Sequence, residues 1–433
     1  MIKPKSMLVD KRGDVQIGGC KIMPLIETYG TPLYIMDVET IRSTVQAYKK
    51  LLSIYPNSKV AYASKALSIT ALYQLLGEEG LFFDVVSDGE LYTLLNAGIP
   101  AHRAYFHGNN KSNDEIRYAL EQEVGCLVVD NKDELKRIET IYKKNKFTHK
   151  VAILFRIVPE IEAHTHDFVK TGQRDSKFGV LQENLFDVIK YALSMSFIHF
   201  RGIHAHIGSQ IFDVEPYRFL LEKFVSIAEK AQNEMGVSME EISLGGGIGI
   251  QYTEDDDPPS IDNFMLTIAS AIKDTIDKSN LKIKPTIVIE PGRSIVATAG
   301  VTVYNIGAVK TIPDKRTYVS VDGGMADNPR PITYNAVYSA DIMNKMNDPK
   351  TNKVTVAGKF CESGDILLKD ILLQKPEAGD ILMVYVTGAY NYSMSSNYNR
   401  YRKPAMIFVE KGQHKLVLKR ETLADIIRND VKL

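Results

Sequence analysis

The chain has 433 residues, 44% of them hydrophobic and 24% charged, and its 53 Lys plus Arg balance 53 Asp plus Glu. A single core stops growing at roughly 250–300 residues, so two domains are expected. Zero net charge argues against a nucleic acid or an anionic membrane as partner, and no run approaches the roughly 20 apolar residues of a membrane span.

Residues 1–30 begin without an apolar signal core, and their short β-like pieces are Val15–Ile17 and Lys21–Ile22. The next strand-like runs are Val60–Ala63, Leu81–Val86, Ala104–His107, Cys126–Val129, Val151–Val158, Gly202–His206, Ile242–Leu244 and Thr286–Glu290. Amphipathic helical runs fall between most of them: Ile69–Glu79, Glu90–Ala97, Asp114–Glu121, Lys132–Lys144 and Tyr217–Glu234. Strands alternating with helices imply parallel pairing through crossovers. Eight such units in about 230 residues fit a (β/α)₈ barrel, usually about 250 residues. An open doubly wound sheet competes, but the row shows no break. Beyond residue 300 the strand-like runs are Gly300–Lys310, Thr317–Val321, Lys353–Ala357, Asp380–Val386, Ala405–Glu410 and His414–Lys419, without long helices between them. They predict an antiparallel β domain. The expected division is a barrel over 31–295, with 1–30 joining 296–433 as the β domain. The charge run at Asp255–Asp257 reads as a solvated loop. Three cysteines, Cys20, Cys126 and Cys361, make no disulfide framework, so a reduced, cytoplasmic protein is expected.

Barrel active sites form at the C-terminal strand ends. There stand Lys65, Ser87, His107, Asp130, Arg156, His206, the Gly245–Gly249 turn and Glu290-Pro291-Gly292-Arg293. A glycine turn opening a helix would offer backbone N–H groups to a phosphate, with the Ser209 hydroxyl near; a plain tight turn is the other reading. Most lysines are solvated, but Lys65 at a strand end suits imine formation with an aldehyde. Glu290 follows an apolar run and needs a cationic or hydrogen-bonding partner, either Arg293 or a pyridinium N–H. Phosphate cradle, imine lysine and pyridinium carboxylate together specify pyridoxal 5′-phosphate. His204/His206 and His164/His166 have spacing that zinc could use, but strand one ends in lysine and strand eight in glutamate. No metal is therefore expected. His206 is read as lying against the pyridine ring, and His204 as packing.

With these residues placed, the chain resembles the diaminopimelate decarboxylases, pyridoxal-phosphate enzymes of the alanine-racemase-like fold. The motifs are Tyr62-Ala63-Ser64-Lys65-Ala66, Asp84-Val85-Val86-Ser87, His164-Thr165-His166, Ser176-Lys177-Phe178-Gly179 and His204-Ala205-His206-Ile207-Gly208-Ser209-Gln210. They continue through Gly245-Gly246-Gly247, Glu290-Pro291-Gly292-Arg293, Val321-Asp322-Gly323-Gly324-Met325, Cys361-Glu362-Ser363-Gly364-Asp365 and Gly388-Ala389-Tyr390. The resemblance implies that Lys65 joins the cofactor as an imine, His206 stacks on its ring and Glu290 binds its nitrogen. Ser209, Gly247, Pro291, Gly292, Arg293 and Tyr390 would hold the phosphate. Cys361 would return a proton after carbon dioxide leaves. Arg293, Arg330, Tyr334, Glu362 and Tyr390 would contact substrate. A homodimer is implied, with Cys361 and Glu362 entering the partner's site. Departures from the family pattern are Asp88, Asn391-Tyr392 and Arg400–Pro404.

Meso-2,6-diaminopimelate has an amino acid at each end, so its distal end needs both a cation and an anion. Arg330 and Arg293 would supply the cation and Glu362 the anion. Ornithine and lysine, joined through the α-amino group, present only a distal ammonium, which arginine would repel. The alternatives are a same-fold decarboxylase of carboxynorspermidine, ornithine, lysine or a siderophore precursor, or a non-catalytic pyridoxal-phosphate carrier.

Overall fold

The computed structural model describes residues 2–159 and 176–433. The chain divides into two compact units: Val45–Gly249 with Pro258–Gly292, and Met1–Thr44 with Ile250–Asp257 and Arg293–Leu433.

In the first unit eight parallel strands close into a barrel. They are Ser58–Ala63, Phe82–Val85, Ala104–Phe106, Cys126–Val129, Val151–Arg156, Ile198–His204, Glu241–Ser243 and Thr286–Ile289. The last pairs with the first through Ile287 opposite Ser58, so no edge remains open. Closure follows from the sequence rhythm, because each strand is apolar and short and each helix has one apolar stripe. Helix Lys132–Lys144, for example, buries Leu135, Ile138, Ile141 and Tyr142. Asn131 caps it by accepting from the Glu134 N–H. Inside the barrel Ala61, Tyr105, Cys126, Val128, Leu154 and Val288 pack as one cluster. Near the strands' N-terminal ends, buried Glu241 accepts from Lys59 Nζ at 2.8 Å and pairs with Arg201.

The second unit carries a mixed sheet. Its order is Ile366–Leu373, Asn352–Ala357, Arg316–Val321, Gly300–Ile312, Leu33–Asp37, Ala405–Glu410 and Gln413–Leu418. Ile381–Tyr385 also pairs with Gly300–Ile312 and with Ala340–Ile342. The N-terminal pieces Val15–Ile17 and Cys20–Lys21 lie in this unit, in a small three-stranded sheet with Leu8–Val9. Two expectations need correction. The sheet is not wholly antiparallel: Arg316–Val321 runs parallel to Asn352–Ala357, and Ala405–Glu410 parallel to Leu33–Asp37. The barrel unit starts at 45 rather than 31, because the Leu33–Asp37 backbone bonds to the second unit's strands.

Candidate active site

The barrel unit places its charged residues where the strands end. Lys65 lies in the 3₁₀ turn Ser64–Ala66 directly after the first strand and is exposed. Ser87 caps helix Asp88–Asn96 by accepting from the Glu90 N–H, and Glu90 in turn accepts from the Val86 N–H at 2.8 Å. The departure Asp88 is the first residue of that helix, where a carboxylate suits the dipole.

Glu290 follows the eighth strand and is 4% exposed. Its carboxylate lies 2.7 Å from the Ser243 hydroxyl, which donates to it, and 3.0 Å from His204 Nε2. His107 Nε2 stands 3.6 Å from Glu290 and 3.7 Å from Asp84, so one imidazole faces two buried carboxylates. The His107 and His204 rings meet edge to face at 4.8 Å. Burial opposes charge on Glu290, but the two histidines and Ser243 outweigh it and hold its carboxyl well below the usual range. Asp84 moves the other way, raised by burial and then by the Glu290 charge. The two carboxyls are thus pushed apart, Glu290 toward its charged form and Asp84 toward its neutral one. His204, read from the sequence as packing, is instead a partner of Glu290.

His206 lies two residues past the end of the sixth strand and is half-buried. Burial, then Lys65 and Arg156, push its imidazole down to about 3, so the ring is neutral. Ser209 is exposed in the following turn. The glycine turn after the seventh strand does not open a helix: the next one starts at Ile261, capped by Ser260. A phosphate at this turn would meet backbone groups without a helix N-terminus behind them. Gly247 has φ +112°, and a Cβ there would run into the Gly208 carbonyl. The Tyr217 hydroxyl donates to Gly246 O at 3.0 Å and pins the turn. Pro291 O accepts from the Ala63 N–H at 3.0 Å, and a Cβ on Gly292 would come within 2.9 Å of Ala63 Cβ.

In the second unit Arg293 begins the short helix Arg293–Val296 and donates from Nη1 to the Tyr252 hydroxyl at 2.7 Å. Its guanidinium carbon lies 4.8 Å from the Tyr390 ring. Arg330 begins helix Arg330–Tyr334, is 8% exposed, and donates to the Tyr338 hydroxyl at 2.7 Å. Among the described residues it has no carboxylate partner. Tyr334 is 62% exposed. Cys361 and Glu362 are both exposed, with the Cys361 N–H donating to Asn399 Oδ1 at 2.9 Å. Asp256 does more than solvate a loop: its carboxylate accepts from the N–H groups of Tyr252 and Thr253 at 3.0 and 2.9 Å.

Residues 38–297 match the model of the pyridoxal-dependent decarboxylase, pyridoxal binding domain. The diaminopimelate decarboxylase of Synechocystis sp. is 45% identical, over 99% of this chain and 92% of that protein. The Bacillus subtilis enzyme of the same name is 46% identical, over 98% of this chain and 96% of that protein. The chain belongs to the diaminopimelate decarboxylase family. A crystal structure of the M. jannaschii diaminopimelate decarboxylase in complex with L-lysine superposes with a TM-score of 0.92 at 33% identity, covering 100% of this chain and 99% of that one.

The barrel unit fits the cofactor of this pyridoxal-dependent family. Asp84 Oδ1, His107 Nε2 and His204 Nδ1 are buried without hydrogen-bond partners, which marks a polar pocket rather than a closed core. The glycines at 245, 246 and 247 let this turn pack against the Ala205, Glu290 and Gly208 carbonyls, where a Cβ would clash. His107, His204 and Glu290 also lie close enough to hold a metal ion, their ligand atoms all within 4.8 Å of one another. Glu290, however, is already bonded by Ser243 and His204. The His164/His166 pair lies outside the described residues. Sequence reasoning missed Asp84, Ser243, Tyr252 and Tyr338 as members of these clusters. Asp84 and Ser243 carried a signal, since each is a polar residue within or ending an apolar barrel strand.

Proposed function

We infer that this chain removes one carboxylate of meso-2,6-diaminopimelate, releasing carbon dioxide and L-lysine, as a cytoplasmic homodimer. The observation that carries the substrate is Arg330, a buried guanidinium with no acid beside it among the described residues. A buried cation of this kind is stabilised by an arriving anion. The distal carboxylate of a diamino diacid is such an anion, whereas the distal ammonium of ornithine or lysine would be repelled.

Pyridoxal phosphate, when bound, supplies an electron sink for the carbon that loses carbon dioxide. Lys65 would hold its aldehyde carbon. The neutral His206 would lie against its ring without competing for a proton. Glu290, ionised and oriented by Ser243 and His204, would keep the ring nitrogen protonated. Ser209, Gly247, Pro291, Gly292, Arg293 and Tyr390 would bind its phosphate. Cys361 would deliver the proton that replaces carbon dioxide, and Arg293, Glu362, Tyr334 and Tyr390 would join Arg330 around substrate. The exposure of Cys361 and Glu362 in the single chain supports their service in a partner's site. The L-lysine complex of the M. jannaschii relative supports the product.

The test compares carbon dioxide release by the purified holoprotein from meso-diaminopimelate, L-lysine and L-ornithine at equal concentrations. Preference for the diacid is expected. Faster release from either simple diamino acid would overturn the reading.

A further inference from the structure

Tyr252 and Tyr338 come from distant parts of the second unit's chain and enclose Arg330. Tyr338 is 2% exposed and Tyr252 is 7% exposed. Their rings meet edge to face, 5.5 Å apart at 86°. The guanidinium carbon of Arg330 lies 4.9 Å from the Tyr252 ring centre and 5.6 Å from that of Tyr338. Tyr338 also accepts a hydrogen bond from Arg330 Nη1, and Tyr252 accepts one from Arg293 Nη1, both at 2.7 Å. Tyr252 is itself held: the Asp256 carboxylate takes its N–H, and the Ser339 hydroxyl donates to its carbonyl at 3.3 Å.

The chemistry of the partners is informative. Buried arginines are ordinarily matched with a carboxylate. A carboxylate would occupy one edge of the guanidinium fork and cancel its charge. A phenol hydroxyl accepts one hydrogen bond and leaves the charge intact. An aromatic face steadies the cation through its quadrupole and uses no N–H. The other donors of the planar fork stay available for a carboxylate, which they match in geometry.

We propose that Tyr338 and Tyr252 are positioning residues that set specificity for a substrate bearing a distal carboxylate, by holding Arg330 with neutral groups. This rests on the assignment of Arg330 to the distal carboxylate. The two tyrosines act through Arg330 and touch no reacting atom.

L-Lysine and 1,5-diaminopentane differ by one carboxylate, and the product lysine keeps the carboxylate that was distal in the diacid. The experiment therefore measures, on holoenzyme, kcat and KM for meso-diaminopimelate and inhibition constants for these two ligands. A hydrogen bond to a charged group accounts for about tenfold or more in affinity. Tyr338→Phe should raise KM and the lysine inhibition constant about tenfold. It should change kcat little and leave 1,5-diaminopentane unaffected. In an Arg330→Ala background the same change should do nothing further. Tyr252→Leu removes the ring under Arg330 and leaves Tyr338 in place; it is the second variant, with the same selective loss expected. Equal weakening of both ligands by both tyrosine variants, or no weakening, would overturn the proposal. If Arg330→Ala itself left the lysine-to-diamine ratio unchanged, the assignment of Arg330 would fail instead.

Discussion

Glu290 and Asp84 face the same buried histidine, yet their protonation diverges. Hydrogen bonds from Ser243 and His204 keep Glu290 ionised, and that charge together with burial keeps the proton on Asp84. Environment alone thus sets two neighbouring buried carboxyls apart. His206 carries a testable pH signature. Its imidazole titrates near 3 in the folded chain against an ordinary 6.5, so the unfolded state takes up the proton first as pH falls. The stability it contributes is complete above about 6.5 and drains away down to about 3. His206→Gln should therefore lose less stability than the parent between pH 7 and 5, as read by urea unfolding; parallel losses would contradict this. For Arg330, a charge-assisted bond contributes about 1.5–3 kcal/mol. Arg330→Ala should then cost roughly 10–100-fold in kcat/KM on meso-diaminopimelate. Decarboxylation of L-lysine held through its α-amino group, with no distal carboxylate, should fall much less. Equal proportional losses would leave Arg330 a structural residue.

At the scale of elements, the barrel separates stability from chemistry. The site residues stand at or beyond the strands' C-terminal ends, whereas Lys59, Arg201 and Glu241 meet near the N-terminal ends. Glu241 is fully buried and answers both cations. Removing one partner of a buried pair costs about 3–5 kcal/mol. Glu241→Ala should lose about that much in denaturant unfolding, with KM for the diacid unchanged; a loss below about 1 kcal/mol would place the cluster among weak surface pairs. Legibility in the sequence follows the same division. Cys126–Val129 and Lys132–Lys144 match their expected bounds, because a buried parallel strand and an amphipathic helix each carry a local period. Leu33–Asp37 was not singled out as a strand, and the expected barrel bounds took it in. It is apolar and precedes a helix, as a barrel strand would, and only pairing with residues near 300 and 406 assigns it to the other unit. Ile366–Leu373 was missed because Lys369 and Asp370 interrupt its apolar run, with Asp370 at φ +54° beside register shifts. The tyrosines around Arg330 were invisible for a related reason: residues 252 and 338 share no local pattern.

The whole molecule is read as a homodimer whose sites borrow Cys361 and Glu362 from the partner. Two inactive variants, Lys65→Ala and Cys361→Ala, test this when mixed under conditions that exchange subunits. Activity should return in the mixture, because one hybrid site receives both an intact lysine and an intact cysteine. A mixture as inactive as its parents, with exchange shown by mass spectrometry, would contradict shared sites. Cys20 and Cys126 take no part in this: both are buried, and burial pushes the Cys126 thiol up to about 12.

The claim beneath all of these is the reaction itself. Purified holoprotein given meso-diaminopimelate labelled with carbon-13 in its carboxylates can be followed by NMR. The account predicts labelled carbon dioxide and L-lysine accumulating in equal amounts, the lysine retaining one labelled carboxylate that is lost far more slowly than the first. Persistence of the diacid, or loss of the label from lysine as fast as from the diacid to leave 1,5-diaminopentane, would contradict it.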